Sequence, residues 1–413
     1  MLEVSDIDFK DIYGDNCSTQ KERYGNAVRR YEEIFGRSSD GASIYSAPGR
    51  TEICGNHTDH QRGSVVAASV NVDVIAVAEV NGTDTVRVLS EGLDMITVST
   101  DDLSPRKEFG SAALIRGVLY ALRSKGYQTG GFDAYITSDV LSGSGLSSSA
   151  AFETAIGTVI SGLFNDMTIP QIEIAKAGQL SENMFFGKPC GLMDQTASAV
   201  GSLVAIDFSD PGSPLVKRLE LDTASFGYDI CITDTKGSHA GLTGEYAAVT
   251  KEMGKIASLL GQKDLHDVTC EDIISNIKML RKNAGDRSVL RALHFVSETK
   301  RAKEAANALE KGDIESFLCT IRASGNSSFK FLQNVYVSSA PENQPVSLAL
   351  AVSEAVLGED EACRVHGGGF AGTIQAFVKK ENTKAYKKTM ESVFGEGSCS
   401  ILSIRKYGGI KVI

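Results

Sequence analysis

The sequence predicts an α+β protein built of two lobes. Its 413 residues are too many for one compact core and suggest two or three domains. Strand-like and helix-like segments are mixed along the chain without a regular βαβ repeat, which favours an α+β arrangement. We place the boundary near Gly187. An N-terminal domain would then span residues 1–186, completed by a C-terminal strand near residues 400–413, and a C-terminal α+β domain would span residues 187–399.

Strands dominate the prediction for the first third of the chain. Apolar residues alternate with others over residues 70–80, and Asn81-Gly82 follows as a hairpin-turn signal. The segment Thr85–Ser90 is therefore expected to pair with the strand before it. A second alternating stretch, residues 132–137, predicts another half-buried strand.

The rest of the chain is predicted to be rich in helices. A helix is expected to begin at Pro170 and to run to about Phe186, with Gly187 as its stop signal. The other predicted elements are strands near residues 202–208 and 228–234, a mainly helical region over residues 243–354 with a long amphipathic helix ended by Gly312, and a glycine loop at residues 367–369 that leads into a strand over residues 374–378.

Composition and charge exclude several classes of protein. The sequence is 42% hydrophobic and 23% charged, as in ordinary soluble proteins, and it carries a net charge of −10. An acidic chain is a poor match for nucleic acid or an anionic membrane as the main partner. No signal peptide or membrane-spanning stretch is visible, and the eight cysteines are scattered, so neither a zinc site nor a disulfide framework is indicated. We expect a cytoplasmic protein in a reducing environment.

A glycine-serine run over residues 141–151 is the most informative stretch of the sequence. It reads LSGSGLSSSAA and lies between the predicted strand 132–137 and a segment whose apolar residues have helical spacing. Backbone N–H groups at such a helix start are unpaired and can cradle a phosphate. A serine-capped helix after a glycine turn has the same pattern, and the Gly-Lys-Ser/Thr ending of a Walker P-loop is missing. A phosphate bound here needs positive charge from elsewhere in the chain.

Two further stretches carry clustered polar groups. Residues 48–63, PGRTEICGNHTDHQRG, hold two histidines, an aspartate, an asparagine and two arginines between glycines, which is too polar for a core element. Such groups suit a hydroxyl-rich ligand such as a sugar, but a metal site at His57-Thr58-Asp59-His60 or an ordinary solvated loop fits the same residues. In residues 187–195, Asp194 stands in a glycine-bounded turn, where an aspartate is by default a turn cap.

Taken together, the three stretches resemble the superfamily of sugar and small-metabolite kinases that includes galactokinase, homoserine kinase, mevalonate kinase and phosphomevalonate kinase. The chain is most similar to the galactokinase family. Residues 48–63 resemble its N-terminal signature, residues 142–151 its phosphate loop, residues 189–195 its aspartate motif and residues 364–372 its late glycine-rich motif, in the family's order. The resemblance covers almost the whole chain and implies a two-lobed kinase fold with the active site in the cleft between the lobes.

The resemblance also implies roles for particular residues. Asp194 would act as the base or orient the sugar hydroxyl, and Arg50 would stabilise negative charge on the transferring phosphoryl group. The phosphate cradle would consist of Gly143, Gly145, Ser147, Ser148 and Ser149, and Mg²⁺ would be held by Ser149 and Glu182. The implied sugar contacts are Asn56, His57, Asp59, Gly191 and Tyr246. The implied reaction is direct in-line transfer from ATP to a monosaccharide, with galactose converted to galactose 1-phosphate. We expect a monomer or weak homo-oligomer.

The chain departs from the galactokinase signature at several positions. The signature has glutamate where this chain has Asn56, and Tyr-Asn where it has His60-Gln61. Its Val-Asn-Leu-Ile stretch is replaced by Thr51-Glu52-Ile53-Cys54, and His366 stands where threonine is usual. An amide in place of a carboxylate can change which sugar is accepted. N-acetylgalactosamine or arabinose is therefore an alternative substrate. Further alternatives are a mevalonate or homoserine kinase, or a sugar and ATP sensor without catalytic activity.

Overall fold

The computed structural model describes residue 2 and residues 4–106, 110–140, 145–188, 190–219, 226–238 and 241–413. Its strands are β1 (Ser43–Cys54), β2 (Ser64–Val80), β3 (Thr85–Ser90), β4 (Ile96–Ser99), β5 (Phe132–Ser138), β6 (Leu203–Asp207), β7 (Leu215–Leu219), β8 (Tyr228–Asp234), β9 (Ala362–Val365), β10 (Thr373–Lys379), β11 (Cys399–Leu402) and β12 (Ile410–Lys411). Its helices are α1 (Phe9–Tyr13), α2 (Gln20–Phe35), α3 (Ser111–Ser124), α4 (Ser148–Phe164), α5 (Gln171–Leu180), α6 (Met193–Val200), α7 (Thr243–Leu259), α8 (Cys270–Ser275), α9 (Ile277–Ala284), α10 (Asp286–Glu310), α11 (Ile314–Ser327), α12 (Pro345–Val356) and α13 (Thr383–Phe394). The predicted α+β class is confirmed.

The chain folds into two compact units, each made of separate stretches of sequence. Unit 1 comprises Met1–Arg50, Ala68–Ser202 and Ile404–Ile413, and unit 2 comprises Thr51–Ala67 and Leu203–Ser403. The boundary that the sequence places at Gly187 therefore falls after Ser202 instead. The physical reason is that α6 packs against α4 and α5, so the residues just after Gly187 belong with the helices before it.

Unit 1 contains a sheet with the strand order β12-β1-β2-β5-β3-β4. β5 runs antiparallel to β2 and parallel to β3, so it separates the two strands that the sequence predicts to pair as a hairpin. The strand positions in that prediction are right, and the pairing is wrong. Gly131 allows the arrangement, because a Cβ on it would lie 2.1 Å from the backbone oxygen of Thr83, in the connection between β2 and β3.

Helices cover the sheet of unit 1, because its strands carry apolar side chains on both faces of the sheet. Tyr24, Val28 and Tyr31 of α2 form a buried cluster with residues of β2 and β5 such as Val77 and Tyr135. Helices α3, α4, α5 and α6 pack on one another. α5 is capped by Pro170, rather than beginning at it, and continues as a π-helical turn over Ser181–Phe186 that ends at Gly187.

A buried ion-pair cluster joins distant parts of unit 1 around Asp73 of β2. Its carboxylate accepts hydrogen bonds from Arg23, Arg405 and Tyr13, each at 2.6 Å. Burial alone would raise the pKa of Asp73, but the two arginines outweigh it and lower the pKa to about 2. Residues 404–413 are thereby fixed to unit 1 by charge as well as by the pairing of β12 with β1.

Unit 2 contains an antiparallel sheet with the strand order β11-β8-β10-β9. α12 and α13 cover it, and Val346, Leu350, Tyr386 and Met390 pack on Ile374 and the other buried residues of the strands. A second core lies between α7, α9 and α10 and includes Phe370, which follows the glycine loop predicted at residues 367–369. The structure confirms this loop, the strand after it and the long helix before Gly312.

No helix in the described parts of the chain combines the length and the apolar character needed to cross a bilayer.

Candidate active site

Arg50 and Asp194 form a two-point ion pair in unit 1. Arg50 lies on β1, and Asp194 lies in the first turn of α6. The Nε of Arg50 donates to Oδ1 of Asp194 over 2.6 Å, and its Nη2 donates to Oδ2 over 2.7 Å. Its Nη1 donates to the backbone oxygen of Gly145 over 2.5 Å. The planar guanidinium is thus held on three sides, in a geometry that lysine cannot copy.

The environment of Asp194 favours its charged form. Burial would raise the pKa of this carboxyl group, but the charge and hydrogen bonds of Arg50 and the hydroxyl of Ser147 outweigh it and lower the pKa. Its place in the first turn of α6 adds the positive end of a helix dipole. Asp194 is therefore a carboxylate at neutral pH.

The glycine-serine run lies beside this ion pair. Ser147 precedes α4 in a left-handed conformation, with φ 58°, and its hydroxyl donates to Oδ2 of Asp194 over 2.5 Å. The backbone N–H of Arg50 donates to the oxygen of Leu146 over 3.0 Å. These contacts fix the described end of the run against β1. Ser148 and Ser149 begin α4, where free N–H groups suit a phosphate, whereas the predicted Gly143 lies outside the described residues.

Two buried carboxyl groups lie close to this region of unit 1. Glu182 is 3% exposed, and the ammonium of Lys188 approaches its Oε1 to 3.5 Å. Glu153 lies one helical turn after Ser149 and is fully buried, and its Oε1 has no hydrogen-bond partner among the described residues. Burial and the charge of Glu182 raise the pKa of Glu153. Hard oxygen donors that lack full compensation fit a hard cation such as Mg²⁺.

Another cluster of predicted residues lies in unit 2, around the loop of residues 367–369. The side chain of Asn56 donates to the backbone oxygen of Gly367 over 2.7 Å. His57 donates from Nε2 to the oxygen of Gly368 over 2.9 Å, and the hydroxyl of Tyr246 donates to the oxygen of Gly369 over 2.9 Å. Three consecutive carbonyl groups are thus each held by one of these residues, and the backbone of the loop is fixed.

His57 is neutral at physiological pH. Burial and the neighbouring His60 lower its pKa to about 4. Because a carbonyl oxygen can only accept a hydrogen bond, the proton of the neutral ring sits on Nε2. The residue has φ 58°, a left-handed conformation that few side chains adopt.

Asp59 and His60 form a short turn after His57. Oδ1 of Asp59 accepts a hydrogen bond from the backbone N–H of His60 over 2.9 Å. The rings of His57 and His60 pack edge to face with their centroids 6.2 Å apart. No group of three or more His, Cys, Asp or Glu side chains that could hold a metal is present in the described part of the chain. The structure therefore gives no support to a metal site at residues 57–60.

The predicted residues fall into two sets. Arg50, Gly145, Ser147, Ser148, Ser149, Glu182, Gly191 and Asp194 belong to unit 1, and Asn56, His57, Asp59 and Tyr246 belong to unit 2. The structure brings Arg50, Gly145, Ser147 and Asp194 into direct contact. It joins Asn56, His57 and Tyr246 through the glycine loop.

Sequence reasoning missed several participants. The i, i+4 spacing of Ser149 and Glu153 on a helix is a visible signal, because such residues lie on one face. Lys188 stands in a stretch where the sequence draws attention to the aspartate alone. Asn334, which is hydrogen-bonded to Asn56, has no local signal, since it is 278 residues away in the sequence.

Family models match two regions of the chain. Residues 113–202 match the model of the GHMP kinases N terminal domain, and residues 29–80 match the galactokinase galactose-binding signature. The first region contains Glu182 and Asp194, and the second contains Arg50 and Asn56.

Whole proteins match over nearly their full lengths. The galactokinase of Streptomyces coelicolor is 30% identical over 374 residues, which cover 90% of this chain and 92% of that protein. The galactokinase of Actinobacillus pleuropneumoniae serotype 3 is 32% identical over 369 residues, 88% of this chain and 91% of that protein. The crystal structure of Lactococcus lactis galactokinase complexed with galactose superposes with a TM-score of 0.81 at 24% identity, covering 94% of this chain and 100% of that one. The Methanococcus jannaschii mevalonate kinase gives a TM-score of 0.63 at 14% identity, covering 88% and 99%. The two structural matches show the fold.

Proposed function

The chain belongs to the galactokinase family of sugar kinases, and we propose that it transfers the γ-phosphoryl group of ATP directly to galactose to give galactose 1-phosphate. It is a phosphotransferase that acts on a sugar with ATP as phosphoryl donor. The observation that carries the proposal is the two-point ion pair of Arg50 with Asp194 beside the start of α4. This geometry places a carboxylate and a fixed cation next to a helix terminus that suits a phosphate.

Asp194 has the properties needed to receive the sugar hydroxyl. As a carboxylate, it accepts a hydrogen bond from the attacking hydroxyl, orients the oxygen for in-line attack and takes its proton as the new O–P bond forms. The low pKa of Asp194 makes early removal of that proton unfavourable. We therefore propose that the proton moves late, when the hydroxyl oxygen is already bonding to phosphorus, which agrees with a loose transition state.

Arg50 supplies part of the positive charge that the glycine-serine run lacks. It is 7% exposed, and its three contacts fix the guanidinium, so little reorganisation is needed when negative charge develops on the transferring group. Lys188 is a second cation nearby. Its pKa is raised, because the charges of Glu182 and Asp194 outweigh the opposing effect of burial. The phosphates of ATP would lie against the N–H groups of Ser148 and Ser149.

The oxygens of Ser149 and Glu182 would hold Mg²⁺. The Oε1 of buried Glu153, which has no hydrogen-bond partner in the described part of the chain, and the charge interaction between Glu153 and Glu182 support a cation in this region. When bound, the ion neutralises phosphate charge. The protein's own part is to keep its carboxyl groups buried and in place.

Asp59 is our first candidate for direct sugar contact. Its side chain is about one-fifth exposed, and the resemblance makes it a sugar contact. We propose that Gly191 contributes a backbone contact, and that Asn56, His57 and Tyr246 shape the sugar site through the loop that they hold. We also propose that the protein works in the cytoplasm, where ATP is available, as a monomer or weak homo-oligomer.

The deciding experiment is a coupled ADP-release assay with ATP and magnesium against galactose, N-acetylgalactosamine, arabinose, glucose and mevalonate, with phosphorus NMR of the product. Fast turnover on galactose and a phosphorus signal from an anomeric phosphate are expected. Preference for another sugar would move the substrate assignment to that sugar. Sugar binding without turnover would overturn the kinase proposal in favour of a sensor, and a phosphorylated enzyme that passes its phosphate to sugar would overturn direct transfer.

A further inference from the structure

An acid and an amide have exchanged places in the segment between Arg50 and His57. The family signature has asparagine at the position of Glu52 and glutamate at the position of Asn56. In the structure, the two exchanged residues contact each other, because the side-chain nitrogen of Asn56 donates to Oε1 of Glu52 over 3.0 Å. The segment thus keeps one carboxylate and one amide, with the carboxylate four residues earlier.

The carboxylate of Glu52 is paired with a buried arginine. Nη2 of Arg364 donates to Oε1 of Glu52 over 2.8 Å, and its Nη1 donates to the backbone oxygen of Ile53 over 2.6 Å. The side chains of Arg364 and Glu52 are 0% and 5% exposed. A guanidinium buried to this degree needs a carboxylate partner. Glu52 supplies the hydrogen-bonded carboxylate, and the charge of Glu298 also favours the charged form of Arg364.

The amide of Asn56 has no hydrogen-bonding capacity left for a ligand. Its two N–H groups donate to Glu52 and to the oxygen of Gly367, and its oxygen accepts from Asn334 over 2.8 Å and from Ser328 over 3.3 Å. The residue is fully buried, and an amide makes four such bonds at most. Turning the amide over would place its oxygen against a carboxylate and a carbonyl oxygen. Glu52 thus fixes which way Asn56 points.

The orientation of Asn56 matters because of what it holds. Its N–H group is the contact to Gly367, the first of the three carbonyl groups fixed at residues 367–369. Asn334 completes the connection, since its side-chain nitrogen donates both to Asn56 and to the oxygen of Gly368, over 3.1 Å in the latter case. A change at Glu52 therefore reaches the loop through Asn56.

We propose that Glu52 is a positioning residue of the sugar site, which acts through Asn56 and Arg364 on the loop of residues 367–369. Glu52 and Asn56 then act as a coupled pair, and neither can be changed alone without loss of sugar affinity. This inference rests on the proposed function, because it takes the loop as part of the sugar site.

The experiment is a double-mutant cycle with Glu52→Gln, Asn56→Asp and the double variant, read by Tm, by KM for galactose and ATP, and by kcat. Glu52→Gln removes the partner charge of Arg364, and Asn56→Asp places two carboxylates in contact. Each single variant is expected to raise KM for galactose at least tenfold, while KM for ATP and kcat stay within threefold. In the double variant, the amide introduced at position 52 can donate to the carboxylate introduced at position 56. The fold-rise in KM for galactose in the double variant is therefore expected to be at least fivefold smaller than the product of the two single fold-rises.

Glu361→Gln is the matched control, since Glu361 is a buried carboxylate that accepts a hydrogen bond from Asn382 over 3.1 Å. It is expected to lower Tm without a change in KM for galactose. Strictly additive effects on Tm and on KM for galactose would show that Glu52 and Asn56 are not coupled. A rise in KM for galactose with Glu361→Gln equal to that with Glu52→Gln would overturn the positioning role of Glu52. Should Glu52→Gln fail to fold, Glu52→Asp, which keeps the charge but draws the carboxylate back from Asn56 and Arg364, is measured by itself and should raise KM for galactose without a change in KM for ATP. If the unaltered protein does not phosphorylate galactose, the proposed function fails, whereas coupling in Tm still decides whether the two residues act together.

Discussion

Arg50 contacts both carboxylate oxygens of Asp194, and the same unit contains a second pair of this geometry that offers a comparison. Arg87 donates to both oxygens of Asp133 over 2.7 and 2.6 Å. Only the first pair lies beside the glycine-serine run and donates onward to Gly145. Changes made in parallel in the two pairs therefore separate loss of an ion pair from loss of chemistry.

Asp194→Asn should lower kcat by roughly 10²–10⁴-fold, because the amide neither accepts the hydroxyl proton nor carries charge. Nucleotide affinity, measured by calorimetry with ADP, should survive. Asp133→Asn is the control and should lower Tm while kcat stays close to that of the unaltered protein. Near-normal turnover of Asp194→Asn would show that the role assigned to Asp194 is wrong.

Arg50→Lys should lower kcat by about 10²-fold or more, because an ammonium cannot keep two parallel contacts with Asp194 and a third with Gly145. The same substitution at Arg87 should leave kcat unchanged. The coupled ADP assay measures both. Equal losses in the two variants would mean that Arg50 acts through stability.

Glu182→Gln should weaken the magnesium dependence of nucleotide binding by about 10–100-fold, because one hard anionic oxygen is lost. The measurement is ADP affinity with and without Mg²⁺, which is independent of turnover. Glu173→Gln, on the preceding helix α5, is the control and should leave the magnesium effect intact. A full magnesium effect in Glu182→Gln would remove Glu182 from the proposed metal ligands.

His57 should make the protein less stable as the pH falls below about 6.5. The pKa of His57 in the folded protein is about 4, against 6.5 for an ordinary histidine, so only the unfolded chain takes up this proton between the two values. Its contribution is fully present above pH 6.5 and declines until about pH 4, by up to about 3 kcal/mol. Thermal unfolding from pH 7.5 to 4.5 measures the decline. His57→Gln, which can still donate to Gly368, should make the decline less steep, because buried His294, whose pKa burial also lowers, contributes with the same sign. An unchanged pH profile would contradict the assignment.

Gly369→Ala should raise KM for galactose and lower the free energy of unfolding by more than about 2 kcal/mol. The residue has φ 75°, and a Cβ on it would lie 2.0 Å from the backbone oxygen of Asn334. Gly312 has a similar φ of 67°, and a Cβ on it would meet no atom within 4 Å among the described residues. Gly312→Ala therefore adds backbone strain without a steric clash and should lower the free energy of unfolding by roughly 1 kcal/mol. Equal effects in the two variants would show that the packing of the loop is unimportant.

Local patterns predict the elements of the fold well, and non-local pairing escapes them. Strand β5 is visible from alternation, because period two is a property of the segment itself. Its insertion between β2 and β3 depends on contacts with residues dozens of positions away, which alternation does not encode. The boundary after Ser202 escapes for the same reason, since it depends on what α6 packs against.

The active-site prediction depends on resemblance more than on local chemistry. Asp194 taken alone is a turn cap, and its contact with Arg50 spans 144 residues of sequence. The resemblance implies that Asn56 contacts the sugar directly. Nothing near Asn56 in the sequence shows that Asn334 and Ser328 donate hydrogen bonds to its amide oxygen. Buried polar networks of this kind are assembled by the tertiary fold.

The attachment of residues 404–413 to unit 1 has a consequence for biosynthesis. A ribosome synthesises all of Leu203–Ser403 before it adds Arg405, which contacts Asp73, and β12, which pairs with β1. At about 5–20 residues per second, a stretch of ~200 residues takes on the order of 10–40 s. Until then, β1 lacks the strand that pairs with it, and Asp73 lacks the contact with Arg405. Unit 1, whose synthesis begins first, is therefore complete only once residues 404–413 have been made.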